Sequence, residues 1–183
     1  KGGGAMEIRS ACGLLKKFGY LIFLILFIGC AGMGAPRDNL RFSAKVQPKF
    51  VQGFPGKGYE LTRFVLTGES IKEWTEAFET INTLRTYYPS TIEAYLKSNM
   101  DLRKKTCPES AFNVLKQDQT SILFEIRTTN CPPNPDEHSL TRTIFGNTNE
   151  FSIIYTNKVK ELPSDKREEW IKYLSEASIV TGN

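Results

Sequence analysis

Apolar and polar positions predict that residues 58–183 fold as one domain. In 59–67 they predict a strand, because aromatic and aliphatic residues recur there beside polar ones. In 71–84 the apolar residues recur at helical spacing, which favours a helix, although part of this stretch also suits a strand. A second helix is predicted over 91–105, after the break at Pro89.

Beyond Cys107 the pattern changes to short strands separated by turn residues. Two hairpins are predicted, 112–116 with 121–128 and 140–145 with 151–157. The last predicted helix opens at 163–165, with Asp165 and Glu168 spaced as a capping box. Its predicted buried face comprises Trp170, Ile171, Leu174 and Ala177. This order of elements predicts an α+β fold: an antiparallel sheet of about five strands with helices packed on one face and one disulfide.

The N-terminus is predicted to be an export signal rather than part of the fold. A basic segment that ends at Lys17 precedes the apolar run 18–29, which is the layout of a secretory signal peptide. As a helix this run extends only roughly 18 Å, whereas a bilayer core needs about 20 apolar residues. Residues 1–29 are therefore predicted to be a signal peptide, in which 1–5 precede the start Met6 as an upstream extension or added residues.

The sequence Leu26-Phe27-Ile28-Gly29-Cys30 resembles a bacterial lipobox, in which an apolar and a small residue precede a lipidated cysteine. Phe27 occupies the position at which the family pattern has leucine. The resemblance implies cleavage before Cys30 and acylation there, and several acyl chains together anchor a protein stably. In such lipoproteins an Asp directly after the lipidated cysteine often signals retention in the inner membrane. This chain has Ala31 at that position, which resembles the signal for the outer membrane. Segment 30–57 is then predicted to be a lipid-anchored tether; an uncleaved signal anchor is the alternative.

The cysteines support the same compartment. Cys12 lies in the predicted signal, and Cys107 and Cys131 remain as an even pair in a chain expected to reach an oxidising space. We predict that they form a disulfide that closes a loop of about 25 residues; two free buried thiols are the alternative. Zinc is poorly supported because His138 is the only histidine in the sequence, and no cofactor is predicted.

Charge argues against a nucleic-acid partner. The chain has 24 basic and 20 acidic residues. The predicted signal peptide holds four of the basic residues and one acidic residue. The remaining chain therefore has 20 basic and 19 acidic residues, a net charge of +1. A nucleic-acid-binding domain normally keeps a basic patch in its folded part. Hydrophobic residues at 40% and charged residues at 24% are ordinary for a globular domain.

Catalysis is not predicted, because no constellation of side chains supports it. His138 has no Gly-x-Ser-x-Gly motif beside it and is predicted to be a solvated loop histidine. Glu69, Glu73 and Glu76 are interpreted as acidic residues that complement a helix dipole. The basic residues near the last helix alternate with acidic ones, so a mixed, solvated surface is expected there.

A second resemblance covers about residues 59–180. It is based on FVLxGESxxxWTE from Phe64, the pair Cys107 and Cys131, and the ending from Tyr155 to Leu174. These features are similar to an uncharacterised family of small bacterial envelope proteins, which implies one disulfide-bearing domain and brings no activity.

The function expected from the sequence is that of an outer-membrane lipoprotein with its domain in the periplasm. Its domain is expected to be a structural or accessory part of an envelope complex, such as a secretion assembly, in contact with the membrane through its lipid and with other envelope proteins. The alternative is a lipid-anchored module for a small or hydrophobic ligand, which predicts an enclosed apolar pocket.

Overall fold

Antiparallel strands dominate the structure, a computed structural model that describes residues 38–42, 52–53, 58–86 and 91–181. The strands in these ranges are β1 (Asp38–Arg41), β2 (Gln52–Gly53), β3 (Tyr59–Val65), β4 (Glu76–Leu84), β5 (Ala111–Gln117), β6 (Ser121–Thr128), β7 (Glu137–Phe145), β8 (Asn149–Asn157) and β9 (Ser178–Thr181). The helices are α1 (Ile92–Thr106) and α2 (Ser164–Glu176).

The described strands form two antiparallel sheets. Seven of them pair in the order β2-β3-β4-β8-β7-β6-β5, and β1 pairs separately with β9. The predicted α+β class, antiparallel pairing and disulfide are therefore confirmed, and the larger sheet has seven strands in the described ranges where about five were expected.

The two helices cover opposite faces of the larger sheet, so the prediction that both pack on one face is wrong. Successive side chains of a strand point to opposite faces. Ile122 and Phe124 of β6 pack in one core cluster with Ile92 of α1. Leu123, between them, packs in the other cluster with Leu174 of α2. Strand β6 is apolar on both faces because both are covered, which is typical of strands at the centre of a layered fold.

The predicted helix over 71–84 is wrong for most of its length. Residues 76–84 form β4, which pairs with β3 on one side and β8 on the other. Ala77 and Phe78 are both buried, one toward each face, so the strand uses both of its faces. A central position with hydrogen-bond partners on both sides outweighs the helical spacing of a few apolar residues.

Other predicted elements are confirmed with small shifts at their ends. Helix α1 begins after Thr91, whose Oγ1 accepts a hydrogen bond from the Ala94 backbone N–H at 3.2 Å. Both predicted hairpins are present as β5–β6 and β7–β8. The capping box predicted for α2 is wrong, because the N-cap is Pro163 and no side chain caps the helix.

Strands β1 and β2 lie inside segment 30–57, which the sequence pattern assigned to a tether. Both strands belong to one compact unit with the other described residues. Asp38 of β1 is buried and fastens the β1–β9 pair to the turn between β7 and β8. Its carboxylate accepts hydrogen bonds from the Thr148 backbone N–H at 2.8 Å and the Thr181 hydroxyl at 3.3 Å.

We predict that Gly146→Ala destabilises the fold through Asp38. An added Cβ would collide with Asp38 Oδ2 and would lie 3.0 Å from the Asn149 carbonyl oxygen. We expect a loss of about 1–3 kcal/mol in the free energy of unfolding, measured in urea. In an Asp38→Ala background the same substitution should lower the free energy of unfolding by less, because the Asp38 carboxylate that the new Cβ would meet is absent. Equal costs in both backgrounds would show that Asp38 is not what excludes a side chain at this position.

Candidate functional site

The predicted site residues fall in different places. Cys30 lies outside the described residues, so its acylation stays a prediction. Cys107 and Cys131 form a disulfide, as predicted, with a separation of 24 positions. The bond joins the end of α1 to the loop between β6 and β7, and both cysteines are buried. It therefore closes a loop that contains β5 and β6.

His138 is buried inside strand β7, and the prediction of a solvated loop histidine is wrong. Its exposed fraction is 1%. The strand begins at Glu137, three residues earlier than expected, and His138 lies opposite Arg127 of β6 and Asn157 of β8. In a strand, every second side chain points to the same face, so His138 shares a face with Leu140. This alternation is the sequence signal that could have identified His138 as buried.

Both ring nitrogens of His138 have partners within the protein. Nδ1 accepts a hydrogen bond from the Leu162 backbone N–H at 3.0 Å, and Nε2 lies 3.3 Å from Glu125 Oε2. Because a backbone N–H can only donate, Nδ1 carries no proton, and the proton of the neutral ring is on Nε2, facing Glu125. Burial lowers the pKa of His138 and outweighs the opposite influence of Glu125.

Glu125 is the centre of this cluster and was not identified from the sequence. Its side chain is 6% exposed and accepts hydrogen bonds from Arg167 Nε at 2.8 Å and Asn113 Nδ2 at 3.0 Å. Burial alone would raise the pKa of Glu125, but the hydrogen bonds and the charge of Arg167 outweigh it, and the pKa falls to about 2. Glu125 is therefore ionised at neutral pH and paired with Arg167.

The cluster of Glu125, His138, Arg167 and Asn113, named here the Glu125 cluster, joins β5, β6, β7 and α2. A general base must reach a proton of its substrate. His138 instead uses both nitrogens inside the protein and is closed to solvent. This geometry suits a positioning role, in which the cluster holds α2 and the segment before it against the sheet.

The other acidic candidates do not gather at a helix, and their interpretation as helix-dipole partners is wrong. Glu69 accepts a hydrogen bond from the Thr75 backbone N–H at 3.0 Å, and Glu73 lies in a turn capped by Ser70. Glu76 forms a part-buried ion pair with Lys166 of α2. The surface near α2 is therefore not simply solvated, since Lys166 and Arg167 both have ordered partners on the sheet.

An open cleft of about 730 Å³ lies at the start of α1. Its lining includes Arg85, Thr91, Ile92, Asp118, Thr120 and Phe145. Arg85 donates to the Gly146 carbonyl oxygen at 2.7 Å, which holds its guanidinium beside the Phe145 ring. Polar groups form much of the lining, so the cleft differs from the enclosed apolar pocket expected of a module for hydrophobic ligands.

Over the described ranges, no three His, Cys, Asp or Glu side chains are grouped as metal ligands would be. In the same part of the chain, no helix has both the length and the apolar character needed to cross a bilayer.

Comparisons with known proteins include a distant structural likeness. No family model and no curated protein matches the chain. A solved structure of a Pseudomonas aeruginosa protein of unknown function, with a proposed regulatory role, is 10% identical with a TM-score of 0.44. The match covers 69% of this chain and 94% of that chain. A likeness at this level does not transfer function.

We predict that loss of the disulfide destabilises the domain by roughly 3–4 kcal/mol, since the bond restricts a loop of about 25 residues in the unfolded chain. The measurement is urea unfolding of the Cys107→Ser/Cys131→Ser variant beside the oxidised wild type. Reduction of the wild type should lower its stability to that of the variant. Equal stability of the oxidised and reduced wild type would contradict the prediction.

We predict that Arg167→Met lowers the free energy of unfolding by about 2–3 kcal/mol at neutral pH, because it removes the main partner of a buried carboxylate. Lys172→Met is the matched control: it makes the same change of charge at an exposed position of α2 and should cost less than about 0.5 kcal/mol.

The loss caused by Arg167→Met should depend on pH. The folded-state pKa of Glu125, about 2, lies below its ordinary 4.5. The stability from its charged form is therefore complete above about pH 4.5 and is lost as pH falls toward about 2. The difference between wild type and Arg167→Met should shrink over that window. A difference that does not vary with pH would show that Arg167 stabilises the fold without acting on Glu125.

Proposed function

We propose that this chain is an envelope lipoprotein, acylated at Cys30 and anchored by that lipid to the periplasmic face of a bacterial outer membrane. Its folded unit acts as a structural or accessory component of an envelope protein complex, such as a secretion assembly. The observation that carries the proposal is the order of a basic segment, the apolar run 18–29 and Cys30.

The disulfide supports export. Structural disulfides are typical of oxidising compartments and rare in the cytosol. Cys107 and Cys131 are both buried, so the bond lies within the packed domain. A folded domain that contains such a bond fits a chain whose N-terminus has the pattern of an export signal.

The spacing between Cys30 and the folded unit supports a position near the membrane. Asp38, the first residue of β1 and the anchor of the β1–β9 pair, follows Cys30 by eight positions, with seven residues between them. An extended chain of that length spans at most about 28 Å. A domain held in this way stays close to the lipid surface and to proteins embedded in it.

Exposed apolar side chains support contact with a protein partner. Val114, on the edge strand β5, is 48% exposed, and Leu102 of α1 is 63% exposed. Apolar side chains at the core of an interface are desolvated when a partner binds. These two positions are therefore candidates for contact with the complex.

The cleft beside α1 supports a second candidate, a lipid-anchored module that binds a small molecule. Its volume of about 730 Å³ lies within the range of small-molecule sites. Because Arg85, Thr91, Asp118 and Thr120 are among its lining residues, the ligand would be polar and small rather than purely hydrophobic.

We predict that the full chain, expressed in a bacterium, incorporates labelled palmitate and that the Cys30→Ala variant does not. Intact mass should show cleavage before Cys30 together with the added acyl chains. Cys12→Ala is the matched control and should leave the mature mass unchanged, since Cys12 lies in the segment to be removed. Absence of label from wild type and Cys30→Ala alike would reject the lipoprotein proposal.

A further inference from the structure

We propose that His138 is a pH-sensitive latch: when its Nδ1 is protonated, the segment around Leu162 and the first turn of α2 are released from the sheet. The proposal does not depend on the lipid anchor. It concerns a conformational property of the folded domain.

The closed state is the one in which Leu162 N–H donates to Nδ1 of His138. It requires a neutral ring, because only an unprotonated Nδ1 can accept a hydrogen bond. Leu162 N–H points at Nδ1 over 3.0 Å. A protonated ring carries an N–H on both nitrogens, so two donors would face each other at that distance. Leu162 is 4% exposed and His138 is 1% exposed, so the buried backbone N–H has no access to water in the closed state. Leaving it without an acceptor is costly, and the segment moves instead.

The charged groups around His138 do not remove this conflict. Glu125 of β6 faces Nε2, but its carboxylate already accepts hydrogen bonds from Arg167 of α2 and from Asn113 of β5. Arg127 of β6 lies opposite His138 and repels a positive ring. Glu161, from the segment before α2, is exposed and pairs with Arg127 at 3.4 Å. On β8 the residue opposite His138 is the uncharged Asn157.

The direction of the pH effect follows from these surroundings. Burial holds the pKa of folded His138 below its ordinary 6.5. Stability from the neutral, closed form is therefore complete above that value and is lost as pH falls through the folded-state pKa. Glu125, with a pKa of about 2, stays ionised throughout the same range. His138 is thus the member of the cluster that changes charge when the medium becomes mildly acidic.

Movement of Leu162 directly affects α2, because the helix begins two residues later at Ser164. Pro163 follows Leu162 and is the N-cap of the helix, and Arg167, in the next turn, contacts the same Glu125 carboxylate. Trp170 lies one turn further and stacks on Tyr155 of β8 with ring centroids 4.0 Å apart. Release at Leu162 loosens this face of the sheet first, while the disulfide still fastens the loop between β6 and β7 to the end of α1.

The test is an NMR titration of the oxidised full chain from about pH 7.5 to about pH 4.5. His138 is the only histidine in the sequence, so its ring ¹⁵N signals are assigned without ambiguity. We expect the neutral tautomer with the proton on Nε2 at the start, and a single titration below about pH 6.5. The Leu162 amide signal should shift with the same midpoint, and exchange protection of the Leu162 and Arg167 amides should fall about tenfold or more, after correction for intrinsic rates.

Two variants separate the latch from general acid destabilisation. In His138→Gln the amide oxygen can accept from Leu162 N–H and does not titrate, so protection of the Leu162 and Arg167 amides should no longer depend on pH. Lys166→Met removes the other ion pair of the same turn and should keep the midpoint of wild type. If His138→Gln does not fold, the wild-type titration alone decides. Titration of His138 without a change at Leu162, or no titration before global unfolding, would overturn the proposal.

Discussion

The structure depends on a carboxylate placed where a carboxylate is costly. Glu125 lies in a strand whose neighbours Phe124 and Ile126 are buried, and its own side chain is almost closed to solvent. Transfer of an ion out of water costs several kcal/mol unless it is paired and hydrogen-bonded. Arg167 and Asn113 supply those partners, and His138 faces the remaining side. The position of α2 on the sheet is therefore tied to the ionised state of one residue.

Different kinds of side chain are buried on the two faces of the larger sheet. On the α2 face, aromatic rings dominate, with Trp170 between Phe78 and Tyr155. On the α1 face, small hydroxyl side chains are buried and pair with each other, as Thr143 does with Ser152 at 2.9 Å. Buried polar groups are tolerated when each has a partner, so β8 can place Ile153 and Tyr155 on the α2 face and the buried Ser152 and Thr156 on the other.

Local signals explain what could be predicted from the sequence. Strand β6 begins and ends at the predicted residues, because an apolar run on both faces is bounded by turn residues. The Cys107–Cys131 bond followed from an even pair of cysteines in a chain with an export signal. Helix α1 followed from the break at Pro89 and from its apolar spacing, and Thr91, the predicted first residue, is its N-cap.

The remaining features depend on residues far apart in the chain. Asp38 pairs with Thr181, a partner that no local pattern identifies. The local pattern predicts a helix at β4, because the strand depends on pairing with β3 and β8, which are distant in the chain. The sequence predicts a loop at His138 because the end of a proline-rich segment does not show where the next strand begins. Glu125 offered one usable signal, since a lone carboxylate in an apolar strand needs a buried partner, but the sequence does not show that Arg167 supplies it.

The most direct test of this account is the pKa of the Glu125 carboxyl group, measured from its side-chain ¹³C shift during an acid titration. We expect a pKa of about 2, because Arg167 and Asn113 stabilise the ionised form. A pKa near the ordinary 4.5 would mean that the carboxylate is solvated, and would contradict the account of how α2 is held on the sheet.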